Sequence, residues 1–381
     1  MLERRHRIRF GVVLAAVSTA VVALSGCGET TGPDNGQNAL RPAGPDADKI
    51  LNLFRPFFWI AVVIGIGVVV GTVYAALKFR MKPGEDPMPK QTHGNTVLEV
   101  GWTLIPALIL AVMAVPTVAV IFDLAEKPTG KDVVNITVSG RQWWWQFTYD
   151  NGIVTANEMH IPVGVPVSLT LEGPPPCVDA GFEPSGTGTG ANCYDNGVNH
   201  SFWVPALNGK KDIIPGRTSY LTLEADRPGT FLGQCAEYCG MSHANMRLRV
   251  TAVPMDQYED WVSRQLKPLT PEATNTFAAI NKKWGCLGCH SADPVKPGSI
   301  APNLTHLADR CKFAAEVYTL DEDNLTEWVH NAPGMKPFGP FAAAMPSFEE
   351  QGMTVQEAND IAKFLLENTG TSGSVPPAEC N

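Results

Sequence analysis

The chain has 381 residues, enough for two or three domains, because domains usually contain about 100–200 residues. Its formal net charge is −9, and residues 128–381 are more acidic still, with 17 Lys and Arg against 28 Asp and Glu. An acidic soluble part argues against a nucleic-acid-binding protein and suits a basic protein partner, although a need for solubility explains the charge equally well.

The N-terminus has the pattern of an export signal. Basic residues up to Arg9 precede an apolar run that ends in Leu24-Ser25-Gly26-Cys27. This ending resembles a bacterial lipoprotein cleavage site and makes Cys27 a candidate lipid anchor; an uncleaved anchor helix is the alternative. We predict a signal peptide over residues 1–27 and, from its Gly, Pro, Asp and Asn content, a linker over residues 28–51.

Two apolar runs predict a transmembrane hairpin over residues 52–127. Residues 57–77 and 100–122 carry no charge, and each run reaches the roughly 20 residues that a membrane-spanning helix needs. The loop between them is basic, which places it in the cytoplasm and the rest of the chain outside. Glu99, at the cytoplasmic start of the second run, is either a solvated cap or part of a proton path.

From residue 133 onward the pattern changes to short runs typical of β-strands. Runs over residues 133–139, 142–149, 165–171, 219–223 and 246–253 are separated by turn residues and predict a β-sandwich or barrel. Trp143 and Trp145 would lie on one face of their strand and Trp144 on the other. We therefore expect at least one of these rings to be exposed or at an interface.

Two stretches of this domain carry metal-ligand chemistry. His200 precedes an aromatic run, and Cys235, Cys239, His243 and Met246 form a Cys-x3-Cys-x3-His-x2-Met pattern. Two thiolates, two imidazoles and a thioether favour copper. A mononuclear blue-copper site uses one Cys, so the second thiolate suggests that both sulfurs bridge two copper ions. A disulfide would leave the other ligands without a role, and a zinc site would not need the methionine.

The C-terminal part contains the haem-attachment motif Cys286-Leu-Gly-Cys289-His290. A second axial ligand is needed, and a methionine would suit electron transfer because it raises the haem potential. We predict Met345; its competitors are Met335, Met353, His306 and His330. Residues 313–318, 325–330 and 355–366 have helical spacing of apolar residues.

The remaining cysteines suggest disulfides. Cys177 and Cys193 bracket a loop rich in Gly and Thr, and we expect them to pair. Cys311 and Cys380 are a candidate second pair. Both bridges would suit an extracytoplasmic location.

Several of these segments resemble a known family. The apolar hairpin, His200-Ser-Phe-Trp-Val-Pro and Gly233-Gln-Cys-Ala-Glu-Tyr-Cys-Gly are similar to subunit II of haem–copper cytochrome c oxidases over residues 52–253. Residues 285–369 resemble the fused cytochrome of caa3-type bacterial oxidases. The resemblance implies a two-helix transmembrane hairpin, a cupredoxin-like β-sandwich over residues 128–254, a linker over residues 255–275 and an all-α class I cytochrome c domain over residues 276–381.

The resemblance also implies roles for individual residues. A binuclear copper A (CuA) centre would use His200, Cys235, Cys239, His243, Met246 and the carbonyl of Glu237. The Glu237 side chain would reach a magnesium ion shared with subunit I. Trp143 would receive electrons, Glu99 would stand at a proton-channel entrance, and the Pro302 carbonyl would orient His290.

The family implies an electron-entry subunit of a proton-translocating terminal oxidase. Its partners would be subunit I, with haem a and a haem a3–copper B centre, subunit III, and a donor such as a cytochrome c or a cytochrome bc complex, at a bacterial plasma membrane. Two alternatives remain open. One is a nitric oxide reductase subunit that uses the same copper centre, and the other is a membrane-tethered electron carrier or copper chaperone.

Overall fold

The computed structural model describes residues 36–371 except 82–83, 85–90, 92, 129, 131, 174–196 and 339–344. The helices are α1 (Pro45–Lys78), α2 (Thr96–Ala125), α3 (Met255–Gln265), α4 (Pro271–Trp284), α5 (Glu322–Met335) and α6 (Val355–Asn368). The strands of the central domain are β1 (Val134–Arg141), β2 (Trp144–Tyr149), β3 (Val154–Ala156), β4 (Glu158–Pro162), β5 (Val167–Glu172), β6 (His200–Trp203), β7 (Lys211–Ile213), β8 (Thr218–Leu223), β9 (Gly229–Cys235) and β10 (Arg247–Val253), and a small hairpin consists of β11 (Lys312–Phe313) and β12 (Tyr318–Thr319).

Helices α1 and α2 form the predicted hairpin, and both are long and apolar enough to cross a membrane. Helix α1 begins with Pro45, a residue suited to the first helical position because its missing N–H has no helical partner there. Helix α2 is capped by Asn95, whose side chain accepts hydrogen bonds from the backbone N–H groups of Val97 and Leu98. Their apolar side chains point outward along most of both helices, as a lipid-facing surface requires.

The segment before α1 packs on the central domain, so the predicted linker over residues 28–51 is wrong for its described part. Ala43 is fully buried, and its backbone N–H donates to the Ala206 carbonyl at 2.7 Å. A Cβ on Gly44 would collide with the Glu224 carbonyl, which explains a glycine at this close approach. At the start of α1, Lys49 forms an ion pair with Asp123 near the end of α2 at 2.8 Å. The contacts of Ala43 and Gly44 thus join the hairpin to the sandwich, and the ion pair joins α1 to α2.

The central domain is a β-sandwich of two five-stranded sheets. Their strand orders are β3-β2-β1-β5-β8 and β4-β10-β9-β6-β7. Side chains of β1 alternate between buried and half-buried positions, because one face of the sheet lies on the core and the other does not. The largest fully buried side chains of the sandwich are Trp145, Phe147, Phe202, Ile136, Ile153, Met159, Ile161, Leu169, Leu171, Leu207, Ile213 and Leu223.

The C-terminal domain is built mainly from α4, α5 and α6. Thr270 caps α4, and Gly285 ends it in the left-handed conformation with φ of 71°. Helix α6 begins with a capping box, because Thr354 and Glu357 satisfy each other's backbone N–H groups. Its apolar core is formed by Ala273, Phe277, Leu307, Phe313, Leu320, Leu325, Val329, Phe348, Met353, Ala358, Ile361, Ala362, Phe364 and Leu365.

The predicted helical run over residues 313–318 is wrong. Strands β11 and β12 form a hairpin there, and Ala314, Ala315 and Glu316 in its turn all have left-handed φ angles, between 53° and 64°. Left-handed backbone disfavours side chains with a Cβ, so tertiary contacts must hold this turn. The predicted helical runs over residues 325–330 and 355–366 lie within α5 and α6.

The described cysteines fall into two groups. Cys235, Cys239, Cys286 and Cys289 are free thiols. Cys311 is disulfide-bonded. Cys27, Cys177, Cys193 and Cys380 lie outside the described residues, so the lipid anchor and both disulfide pairings stay predictions.

Candidate metal centre and haem cavity

The five side chains of the copper prediction come together at one end of the sandwich. His200 is the first residue of β6, Cys235 is the last residue of β9, and these strands pair in one sheet. The loop from Cys235 to β10 then folds back over the strand ends and supplies Cys239, His243 and Met246. His200 and Met246 are completely buried, and both cysteines are at least 96% buried.

The ligand atoms lie within a few ångströms of each other around the two sulfurs. The Cys235 and Cys239 sulfurs are 3.7 Å apart. Cys235 Sγ lies 3.9 Å from His200 Nδ1, and Cys239 Sγ lies 3.6 Å from His243 Nδ1 and 3.8 Å from Met246 Sδ. The backbone carbonyl of Glu237 lies 3.2 Å from Cys235 Sγ. Each donor atom of the predicted centre therefore lies within 3.9 Å of at least one sulfur, and the ligand atoms of His200, Cys235 and Cys239 all lie within 4.8 Å of one another.

Hydrogen bonds within the cluster favour a thiolate. The contact between the two sulfurs, with a further contribution from His200, lowers the pKa of Cys235 to about 3. The same contact raises the pKa of Cys239. Thiolates are the form that binds metal ions.

This donor set fits copper better than zinc. Soft sulfur ligands together with imidazoles select copper, whereas a structural zinc site is closed by four ligands. Five side chains and one carbonyl exceed what a single tetrahedral ion needs. The residues present therefore fit a copper centre with two ions, as predicted.

Two neighbouring side chains hold the loop that carries the cluster. The Gln142 amide and the Trp143 indole N–H both donate to the Cys239 carbonyl, at 2.8 and 2.9 Å. Gly140 lies against the His200 ring, which leaves no room for a larger residue. Gln142 and Gly140 were not predicted from the sequence, because only the fold brings β1 and the residues after it to this loop.

The haem-attachment motif follows directly on the end of α4. The left-handed Gly285 turns the chain into a short helical turn that carries Cys286, and His290 lies just beyond it. His290 Nδ1 lies 2.7 Å from the Pro302 carbonyl. A carbonyl can only accept, so Nδ1 carries the proton and Nε2 is the free ligand atom. Burial lowers the pKa of His290, which keeps the ring neutral for an iron ion.

A cavity of about 260 Å³ lies beside this motif. Its lining includes Cys286, Cys289, His290 and Pro302, with apolar side chains from α4, α5 and α6. A mostly apolar chamber of this kind, with two thiols and one imidazole facing it, fits a covalently attached haem.

Among the predicted axial ligands, two methionines line the cavity. Met345 and Met353 both do, whereas Met335 does not. Met353 is 3% exposed and belongs to the apolar core, while Met345 is only partly buried against it. The His306 and His330 rings are each hydrogen-bonded to a backbone carbonyl, at 2.9 and 3.1 Å. This arrangement favours Met345.

The three tryptophans are all buried, and two of them lie at an interface. Trp145 is in the sandwich core, whereas Trp143 and Trp144 line the haem cavity from the copper domain. The expectation of an interfacial ring is therefore confirmed, and the interface lies within the chain. The predicted faces are wrong, because Trp143 lies in the turn before β2 and lines the cavity together with Trp144. Trp143 touches both candidate sites, because its ring borders the cavity and its N–H binds the Cys239 carbonyl.

Glu99 and Glu237 lie in different surroundings. Glu99 is exposed in the first turn of α2. The Glu237 side chain is half-buried beside the cluster, and its Oε1 accepts a hydrogen bond from the Tyr238 N–H.

Comparison with known proteins agrees with this arrangement. Residues 34–120 match the family model of the transmembrane domain of cytochrome c oxidase subunit II, residues 187–253 match its periplasmic domain, and residues 277–369 match cytochrome c. Cytochrome c oxidase subunit 2 of Alkalihalophilus pseudofirmus is 35% identical over 347 residues, covering 88% of this chain and 92% of the relative.

Two further relatives cover most of this chain. Cytochrome c oxidase subunit 2 of Bacillus sp. strain PS3 is 31% identical over 365 residues, covering 90% of this chain and 93% of the relative. Quinol oxidase subunit 2 of Bacillus cereus is 31% identical over 263 residues, covering 68% of this chain and 82% of the relative. The Alkalihalophilus pseudofirmus and strain PS3 relatives are matched over 92% and 93% of their own length. This chain therefore belongs to the cytochrome c oxidase subunit II family, in a form with a C-terminal cytochrome c domain.

Proposed function

We propose that this chain is the electron-entry subunit of a membrane-bound terminal oxidase. It takes electrons from an external donor at its cytochrome domain and passes them through its copper domain to subunit I, where oxygen is reduced to water with proton translocation. The observation that carries the proposal is the position of Trp143, which borders the haem cavity and also binds the Cys239 carbonyl.

The cofactors would be one covalent haem c and a binuclear copper centre, which together supply one-electron redox chemistry. Cys286 and Cys289 would form the two thioether bonds, while the Pro302 carbonyl holds His290 with Nε2 free for the iron. His200, Cys235, Cys239, His243, Met246 and the Glu237 carbonyl would hold the copper ions. Met345 would complete the haem ligation, because it lines the cavity without being part of the core.

The finer assignments are supported by position. Glu237 has a half-buried carboxylate beside the copper ligands, which would suit a magnesium ion shared with subunit I. Glu99 would stand at a proton-channel entrance at the cytoplasmic end of α2. Subunit III, a cytochrome c or cytochrome bc donor, and a lipid anchor at Cys27 complete the proposal.

The test is to purify the full chain with its oxidase partners and count copper and covalent haem. We expect two copper ions and one haem per chain, with an electron spin resonance signal from one unpaired electron shared by both copper nuclei. A single copper with a localised spin, or zinc in its place, would refute the copper A assignment. Copper binding with no subunit I in the purified complex would instead favour a tethered carrier or chaperone, and a nitric-oxide-reducing partner would identify the other alternative.

A further inference from the structure

The cytochrome domain packs directly on the copper domain beside the metal-ligand cluster. The rings of Trp143 and Phe338 are 6.2 Å apart between centroids. The Ser242 hydroxyl, next to the ligand His243, donates to the Pro337 carbonyl. The Val154 N–H donates to the carbonyl of Pro294 at 3.1 Å. Three contacts from two separate segments of the cytochrome domain therefore define one arrangement of the two domains.

Lys336 lies in the middle of this interface and is 3% exposed. Its ammonium group donates to three backbone carbonyls: that of Trp143 at 2.9 Å and those of Asn245 and Ala314 at 3.0 Å. The charged form has three N–H donors, one for each carbonyl, and burial lowers the pKa of this ammonium group to about 7. Two of the carbonyls belong to the copper domain and one to the cytochrome domain, so a single side chain joins both domains.

Both copper-domain carbonyls belong to segments that shape the candidate copper site. Trp143 binds the Cys239 carbonyl through its indole N–H, and Asn245 directly precedes Met246. Lys336 also lines the haem cavity. No other described lysine is both buried and in contact with the surroundings of the two candidate sites.

The backbone is strained where the domains meet. Among the described residues, the non-glycine residues with left-handed φ are Asn157 on the copper domain and Ala314, Ala315 and Glu316 on the cytochrome domain. Ala315 is fully buried and packs against Trp144 and Ala156. Unfavourable backbone of this kind persists only where surrounding contacts hold it. Its confinement to this interface indicates that docking is part of the folded state.

A buried ionic contact lies beside the same turn. Arg249 of the copper domain binds the Glu316 carboxylate at 2.7 Å, and both side chains are less than 10% exposed. The Glu158 side chain of the copper domain accepts a hydrogen bond from the Cys311 N–H at 3.0 Å. Directional contacts of buried charged and polar groups lose their partners if the domains slide or rotate, so they fix orientation as well as distance.

We propose that Lys336 is a positioning residue that holds the cytochrome domain on the copper domain in one fixed arrangement, and that this contact closes the Trp143 face of the copper site to external donors. The proposal rests on the proposed function. In the docked chain Trp143 is 2% exposed, so an external protein cannot contact its ring. Electrons from any donor therefore enter through the cytochrome domain.

The test uses the full chain in its complex, with haem reduced by a flash and electron arrival at copper followed optically. In the wild type we expect a single intramolecular rate that does not change with solvent viscosity, because the domains need not move. Lys336→Glu places a carboxylate against three carbonyls and should lower the rate about tenfold or more, since each lost charge-assisted hydrogen bond shifts docking by about tenfold.

Two further variants separate docking from general damage. Ala315→Leu should also slow transfer, because it adds volume at a fully buried contact without changing charge. Lys282→Glu makes the same charge reversal at an exposed lysine of the cytochrome domain and should leave the rate unchanged. Viscosity should slow transfer in both docking variants, and oxidised haem should no longer speed the spin relaxation of the copper signal.

A soluble reduced cytochrome c then tests closure of the copper site. It should reduce copper only after haem in the wild type, and directly in Lys336→Glu. A wild-type transfer rate that falls with viscosity would overturn the proposal, even if the variants fail to assemble. So would a Lys336→Glu complex with unchanged transfer. Copper and haem counts separate these outcomes from failure of the proposed function, in which the wild type itself would lack the two centres.

Discussion

A single methyl group at Gly140 should weaken the copper site without replacing any ligand. Gly140 lies in β1, and a Cβ added there would stand 2.9 Å from His200 Cδ2 and 3.0 Å from its Cγ. Unstrained carbon contacts are about 3.5–4.0 Å, so the ring must move by about half an ångström or more. Metal–ligand distances tolerate only about 0.2 Å, so His200 would lose its proposed bond to copper.

The size of the effect follows from the cost of overpacking. A methyl group forced into a filled site costs about 1–3 kcal/mol, which is about 5- to 150-fold in copper affinity. Gly140→Ala should therefore bind copper more weakly in a chelator competition and lose the spin signal shared by two copper nuclei, while its covalent haem content stays normal.

The matched control is Ser139→Ala in the same strand, whose side chain is on the opposite face of the sheet. It should keep the wild-type affinity and spectrum. If Gly140→Ala binds copper as tightly as this control with an unchanged spin signal, then His200 is not held as described, and its assignment as a ligand fails.

Burial and the neighbouring Glu316 carboxylate raise the pKa of Glu158 from 4.5 to about 8, so the folded chain binds one more proton than the unfolded chain between these pH values. The melting temperature should therefore fall as the pH rises from about 4.5 to 8, and it should fall less steeply in Glu158→Gln. Parallel curves of melting temperature against pH for the two proteins would contradict this prediction. Met345→Ala should lower the haem reduction potential, measured by redox titration, with little loss of stability. Met353→Ala should keep the potential but lower the free energy of unfolding by about 2–5 kcal/mol, measured by denaturation. The reverse pattern would exchange the roles of the two methionines. Gly44→Ala should clearly destabilise the chain, because the added Cβ meets a backbone carbonyl. Lys49→Ala should lower the free energy of unfolding by at most about 1 kcal/mol, because its ion pairs are partly exposed. Equal melting temperatures of these two variants would refute the close packing before α1.

Sequence reasoning was most successful where ligands are close together in the chain. Cys235, Cys239, His243 and Met246 span a single loop, so their spacing alone indicates a shared site, and the fold class predicted from the hairpin, β-runs and haem motif is confirmed. The roles of individual ligands stay predictions.

The failures share a physical cause. The turn at Ala314 and the segment at Ala43 take their conformations from contacts with distant parts of the chain, which override local propensity and composition. The role of Lys336 had no local signal either, because nothing in the sequence distinguishes a buried lysine from a solvated one.

The shared wall of the haem cavity bears on assembly of the protein. Trp143 and Trp144 of the copper domain close the chamber that Cys286 and Cys289 face. Haem attachment and docking of the two domains therefore involve the same chamber. In a chain whose domains are apart, the thiols face a chamber that lacks the wall formed by Trp143 and Trp144.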